Sequence, residues 1–338
     1  MNLKTEYLGL TLKNPLVPSA SPLSKSLNSA RELEDSGAAA IIMYSLFEEA
    51  ITAESESMTR FLHHQETGFA ESSDGFLPDH QDFENGLERY LEQIRRLKES
   101  LDIPVIASLN GVTTGGWVKH ALELQQAGAD ALELNVYYIA GDISQSGEQV
   151  EQRYLDLLTE LRSQIRIPIN MKLSPSFSSI GHFVGRLAAA GANGVSLFNR
   201  FYQPDINIDS LRLQARLHPS TSAEALLAMR WIALLYGRIP DLSLGATGGV
   251  HTSEDAIKLL LAGTDVVHLC SVLLQKGPAY TGLILRGIED WMEEQGFESV
   301  EDFRGRVSAL TVPNPAELER ANYINVLDSY SVAPGVMT

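Results

Sequence analysis

A chain of 338 residues with 43 acidic and 26 basic side chains, net charge −17, offers a poor surface to nucleic acid or to an anionic membrane. Its single cysteine excludes an internal disulfide, a zinc knuckle and an iron–sulfur cluster ligated by this chain alone. The opening MNLKTEYLGLTLKNP has no apolar signal core, and no run approaches the roughly 18–20 apolar residues of a membrane span, so a cytoplasmic protein is expected.

In chain order, residues 6–13 alternate apolar and polar side chains around Gly9 and predict a small hairpin. An apolar run near Leu16 follows. One local pattern then recurs: Ser36-Gly37-Ala38-Ala39, Ala127-Gly128-Ala129-Asp130, Ala190-Gly191-Ala192-Asn193 and Ala262-Gly263-Thr264-Asp265. Each reads as a helix ending on a C-terminal glycine, a short turn, and a buried strand. Ile103-Pro104 and Ile167-Pro168 open two further strands after helices rich in Leu and Arg. Residues 44–83 form a long segment without a clear element, and a helix is expected over 85–100 from the spacing of Leu87, Leu91, Ile94 and Leu97. Residues 201–221 read as a second irregular insertion, and 297–338 as a tail of short helical pieces.

Eight strands are predicted, near Leu16, Ile41, Val105, Leu132, Ile169, Val195, Leu244 and Val266, alternating with helices. That count, with no GxGxxG after the first strand, predicts an α/β (β/α)8 TIM barrel rather than an open doubly wound sheet. The hairpin would plug its bottom, long loops would follow strands two and six, and a helical tail would close the chain. With no dividing linker, 1–338 is expected to be one domain, its core about 3–295 and its extension about 296–338.

In such a barrel the chemistry sits at the carboxyl ends of the strands. Gly248-Gly249 and Cys270-Ser271 make two small-residue corners after strands seven and eight, where exposed amides and a helix start favour a phosphate. The other strand ends carry Ser19-Ala20-Ser21, Tyr44-Ser45, Asn110, Asn135 to Tyr138, Lys172 and Asn199-Arg200. Amides and a lysine are disfavoured in strands. Lys172, between Met171 and Leu173, needs an anionic partner if buried. A flavin that turns negative at N1 on reduction would provide one, an attraction of order 4 kcal/mol at an effective dielectric near 20. The histidines show no spacing that pairs with carboxylates as a metal site, so no metal is expected.

The segments NPLVPSAS, ALELNV, IPINMKLSP, VSLFN, ATGGV and AGTDVVHLCS, in their order and spacing, resemble the dihydroorotate dehydrogenase family of FMN-binding barrels, the soluble forms above all. The resemblance spans roughly residues 3–286. It implies FMN as cofactor, with Ala20 and Ser21 against the isoalloxazine, Asn135 and Lys172 at its polar edge, and Gly248, Gly249, Cys270 and Ser271 around the phosphate. Tyr44, Ser45 and Asn110 complete the expected cofactor set. Asn135, Asn199 and Arg200 would meet a small-molecule substrate, and a homodimer is implied.

The departures fall on the substrate side. Tyr44-Ser45 stands where the family has Lys-Ser, and PDHQDFE at 78–84 lacks the amides of the family's substrate loop. Tyr137-Tyr138-Ile139-Ala140 replaces a Ser-Cys-Pro-Asn or Ser-Asn-Pro-Asn run, which puts Tyr138 at the catalytic-base position. An ordinary tyrosine is about one part in a thousand phenolate at pH 7, so Tyr138 suits a general acid better than a base. The expected reaction is hydride transfer between flavin N5 and a CH–CH or C=C bond of a small polar, dihydropyrimidine-like substrate, with Tyr138, Lys172, Asn135 and Asn199 as the catalytic set. Two alternatives remain from the residues: a phosphate-binding lyase or isomerase using Lys172, and a flavin-binding regulatory protein without turnover.

Overall fold

The structure is a computed structural model that describes residues 1–47, 86–110, 114–200, 203–214, 218–319 and 323. A hairpin opens it, β1 (Thr5–Tyr7) against β2 (Leu10–Leu12). Eight parallel strands follow: β3 (Leu16–Pro18), β4 (Ile41–Phe47), β5 (Val105–Asn110), β6 (Ala131–Asn135), β7 (Ile169–Leu173), β8 (Gly194–Leu197), β11 (Ser243–Thr247) and β12 (Val266–Leu269). They pair in the order β3-β12-β11-β8-β7-β6-β5-β4. The two ends of that sheet meet where the Ala39 N–H donates to the Leu16 carbonyl at 2.9 Å, giving a nearly closed (β/α)8 barrel. All eight strands coincide with the predicted positions.

Between the strands run α1 (Leu27–Asp35), α2 (Gly86–Ser100), α3 (Thr114–Gln126), α4 (Gly147–Gln164), α5 (Ile180–Ala189), α6 (Ala225–Leu235) and α7 (Ser253–Ala262). The short α8 (Ser271–Lys276) and then α9 (Tyr280–Gln295) follow the last strand. The repeated glycine motif explains how four of the helices, α1, α3, α5 and α7, hand over to their strands. Gly37, Gly128, Gly191 and Gly263 all take φ between 102° and 116°, a left-handed conformation that stops the helix without a Cβ clash. Two residues after the last three of these glycines, an acid or amide ties the turn to the neighbouring strand. The Asp130 carboxylate accepts the Val105 N–H at 2.7 Å while its own N–H donates to the Val105 carbonyl. Asn193 does the same with Ile169, and Asp265 with Leu244.

Alternation along the strands separates two cores. Leu132, Leu134, Met171, Leu173, Val195, Leu197, Val267 and Leu269 face outward into the apolar layer beneath the helices. At the barrel's lower end Val17, Ile42, Ile106, Ala131 and Val266 pack against Tyr7 and Leu8 of the hairpin, which acts as the predicted plug. The Leu8 N–H also donates to the Ser243 hydroxyl at the start of β11, at 2.9 Å.

The second insertion departs from its reading as irregular. It contains an antiparallel hairpin, β9 (Asp205–Asn207) with β10 (Arg212–Gln214), in which Ile206 faces Leu213. Short polar runs of this kind fall below the length at which alternation is legible. Of the first insertion, residues 48–85 lie outside the described residues, and so does most of the tail beyond 319. The described part of the tail carries short 3-10 turns, Val300–Asp302 and Pro315–Glu317, and is fastened by Arg304, which pairs with Asp265 and Glu301. No described helix is long and apolar enough to cross a membrane.

Leu8 is 2 % exposed at the centre of the plug. The Leu8→Ala substitution should therefore cost about 2–5 kcal/mol of stability, read as a lower urea midpoint with an unchanged slope.

Candidate active site

Because all eight strands run the same way, their carboxyl ends share one face, and residues two apart on a strand point into the barrel together. Glu133 and Asn135 on β6 lie in register with Asn170 and Lys172 on β7. These four inward positions build two polar layers above the apolar floor.

The lower layer is a buried chain of hydrogen bonds. Asn170 Nδ2 donates to Glu133 Oε2 at 3.2 Å and to Ser196 Oγ at 2.8 Å, and Ser196 Oγ lies 3.2 Å from His268 Nε2. The Tyr7 ring meets the His268 ring edge-on at 5.9 Å from below. A Cβ at Gly245 would come within 2.6 Å of His268 Nε2, so glycine is required there for the imidazole to cross the barrel. Burial, helped by the Lys172 ammonium, lowers the His268 pKa to about 3, so it stays neutral. Burial also pushes the Tyr7 hydroxyl up, with the Glu133 carboxylate adding to the effect.

The upper layer holds the predicted site residues. Lys172 Nζ lies 3.4 Å from Glu133 Oε1 and 3.4 Å from Ser19 Oγ. Asn199 Nδ2 donates to Asn135 Oδ1 at 2.6 Å. Asn110 is buried in register with Asn135, and the Ser45 and Ser108 hydroxyls are 2.9 Å apart. Ser21 caps the turn Pro22–Lys25 by accepting the Leu23 N–H, which leaves Ala20 half-buried beside it. The Tyr44 ring packs edge-on against Tyr90 at 4.8 Å and lies under Lys25 Nζ at 5.0 Å.

The two small-residue corners sit side by side on β11 and β12. Gly248 and Gly249 take φ of 96° and 78°. A Cβ on Gly249 would fall 2.3 Å from the Ala225 nitrogen, whereas one on Gly248 meets nothing nearer than 3.9 Å, so the corner is tight behind and open in front. The N–H groups of Gly248, Gly249 and Cys270 meet no acceptor among the described residues. Such amides form an anion cradle. The start of α7 contributes less than its position suggested, because the Asp255 carboxylate already lies there, accepting from the His251 and Thr252 N–H groups just before the helix at 2.9 and 3.0 Å. Ser271 Oγ accepts the Ser220 N–H at 3.1 Å, and Ser220 Oγ lies 3.2 Å from His251 Nε2, drawing the end of the second insertion over this corner. Burial pushes the Cys270 thiol up, which fits a packing role.

Two predicted residues stand apart from this group. Tyr138 donates to Gln145 Oε1 at 2.6 Å and lies under the Arg153 guanidinium at 4.9 Å, contacts with the loop and helix that follow β6 rather than with Lys172 or the amides. Arg200 is engaged by Glu224 Oε2 at 2.9 Å and by the His218 carbonyl. One residue escapes the sequence reading. Glu133 is fully buried and supplies the anion for Lys172 that the sequence alone leaves to a ligand. Its signal is present in Ala131-Leu132-Glu133-Leu134-Asn135, where Glu133 shares the parity of Asn135.

The family model for dihydroorotate dehydrogenase matches residues 2–292. Among similar proteins, the NAD-dependent dihydropyrimidine dehydrogenase subunit PreA of Escherichia coli K12 is 24 % identical over 336 residues, covering 92 % of this chain and 78 % of its own length. The catalytic subunit of dihydroorotate dehydrogenase B (NAD(+)) from Methanothermobacter thermautotrophicus is 24 % identical over 311 residues, 90 % of this chain and 97 % of its own. Its counterpart from Shouchella clausii is 26 % identical over 312 residues, with coverage of 90 % and 97 %.

The buried imidazole makes stability pH-dependent. Unfolded histidine binds its proton below about pH 6.5, but folded His268 only near 3. Its contribution is therefore full above 6.5 and lost as pH falls from there toward 3. Asp265, raised to about 6 by burial, acts in the opposite sense between about 4 and 6. Comparing wild type with His268→Gln isolates the imidazole: between pH 7.5 and 5 the variant should lose about 2 kcal/mol less stability in urea titrations.

Proposed function

The chain belongs to the dihydroorotate dehydrogenase family, and on that premise we propose that it is an FMN-dependent oxidoreductase acting on a CH–CH or C=C bond of a small polar, dihydropyrimidine-like substrate. One observation carries the reading: a buried lysine and a pair of hydrogen-bonded amides share the barrel mouth with two open amide corners on the adjoining strands. The donor set suits FMN. The amides around Gly248, Gly249, Cys270 and Ser271 would hold the phosphate, while Ala20, Ser21, Tyr44, Ser45, Asn110, Asn135 and Lys172 would line the ring system.

A bound flavin supplies hydride exchange at N5 and a negative charge at N1 when reduced. Lys172, itself buried, would balance that charge in a site with little water, where the attraction is worth more than at the surface. Asn135 and Asn199 hold each other's side chains in place and so orient the carbonyl or amide groups of the substrate with little entropy left to lose. Tyr138 is assigned the remaining proton as a general acid, which it delivers only by exchanging the bond its hydroxyl now donates to Gln145. Arg200 meets an acidic group of the substrate only by exchanging its Glu224 contact. Electrons leave through a partner chain or a small acceptor, since one cysteine cannot bind a cluster. A cytoplasmic homodimer belongs to the same reading. The alternative of a Schiff-base lysine is disfavoured because a carboxylate at 3.4 Å favours the charged amine, the reverse of what a nucleophile needs.

Titration of the purified protein with FMN should saturate at one flavin per chain, with a visible absorbance that dithionite bleaches. Protein that takes up no FMN refutes the proposal. Gly248→Val forces a β-branched side chain into φ of 96° at the open face of the cradle and should weaken FMN at least tenfold without unfolding the barrel. With a substrate in hand, Tyr138→Phe should slow the half-reaction that moves the proton by about 10²–10⁴ and leave FMN affinity unchanged.

A further inference from the structure

Glu133 is a buried charge at the mouth that the proposed reaction does not use. It is fully buried, its Oε1 lies 3.4 Å from Lys172 Nζ, and its Oε2 is held by Asn170, which is itself anchored on Ser196. A carboxylate in such a place is costly unless paired and hydrogen-bonded on both oxygens, and here both oxygens are engaged. The pair is made entirely by the chain's own residues.

We propose that Glu133 is a positioning residue that fixes Lys172 as an ammonium before the cofactor arrives, and that it thereby sets how many protons accompany flavin reduction. The inference rests on the flavin reading above. With Glu133 present, a carboxylate 3.4 Å from Lys172 Nζ favours the ammonium in both redox states. The flavin would then take two electrons and one proton, the proton at N5, and the negative charge at N1 would be balanced by a cation already in place. With glutamine at 133 the amine is buried without an anion while the flavin is oxidised, and an unpaired buried ammonium gives up its proton. Reduction then draws in a second proton, which settles between Lys172 and N1.

Among the described residues, the other titratable groups near the pair leave the range from pH 6.5 to 8.5 clear. His268 from β12 titrates near 3. Burial raises Tyr7 from the hairpin, Tyr90 from α2 and Cys270 from the β12 corner above their ordinary values.

The test is the FMN midpoint potential measured against a reference dye between pH 6.5 and 8.5. One proton per two electrons changes the reduction equilibrium tenfold per pH unit, about 30 mV, and two protons change it a hundredfold, about 59 mV. Wild type should follow the tenfold dependence, Glu133→Asp should keep it, and Glu133→Gln should steepen toward the hundredfold one. A variant that only disturbed packing would shift the potential without changing its slope. Equal slopes in wild type and Glu133→Gln overturn the proposal and leave the flavin reading intact. Should Glu133→Gln fail to fold, the wild-type slope decides, because a hundredfold dependence there overturns it equally. Protein that binds no FMN overturns both.

Discussion

A lysine and a glutamate buried side by side in the mouth of a barrel constrain everything around them. Moving either charge out of water costs several kcal/mol, and their mutual attraction offsets that cost only when the remaining hydrogen-bonding capacity is filled. The protein fills part of it through one continuous chain, from Ser19 and Lys172 through Glu133, Asn170 and Ser196 to His268, in which Asn170 Oδ1 and His268 Nδ1 meet no partner among the described residues. That chain uses inward positions from five strands or strand ends. It also accounts for two residues that look anomalous alone: Gly245, whose missing side chain makes room for the imidazole, and His268, kept neutral by burial beneath the ammonium.

The apolar construction elsewhere follows from the same division. The hydrophobic faces of the strands turn outward to the helices, and the floor is sealed by the Tyr7–Leu8 hairpin. Between floor and mouth the barrel can hold polar groups because water is shut out below and the strands fix each side chain by register. The acid or amide that ties three of the helix–strand turns to a neighbouring strand, at Asp130, Asn193 and Asp265, secures that register at the lower rim. Precision at the upper rim, where Asn135 and Asn199 meet at 2.6 Å, depends on it.

Much of the fold is legible in the amino-acid sequence. Strand positions follow from repeated glycine turns and apolar runs, both strong local signals, and the strand-end residues follow from the direction common to parallel strands. The amide pair and the lysine stand out because strands disfavour them. Glu133 does not stand out, because one acidic residue inside ALELN reads as a solvated edge until the strand is known to be enclosed on both faces. Motif order places Tyr138 and Arg200 near the site, but side-chain direction past the end of a strand is set by local partners, here Gln145, Arg153 and Glu224. The β9–β10 hairpin is too short for its alternation to register. The expected substrate loop at 78–84 lies outside the described residues.

The central claim is that the glycine corner and the lysine grip opposite ends of one coenzyme. A crystal structure of the protein grown with FMN tests it most directly. The account predicts the phosphate in hydrogen-bonding contact with the amides of Gly248, Gly249 and Cys270, and the pyrimidine edge of the ring, N1 included, turned to Lys172. A phosphate bound elsewhere, or the dimethylbenzene edge facing Lys172, would contradict it.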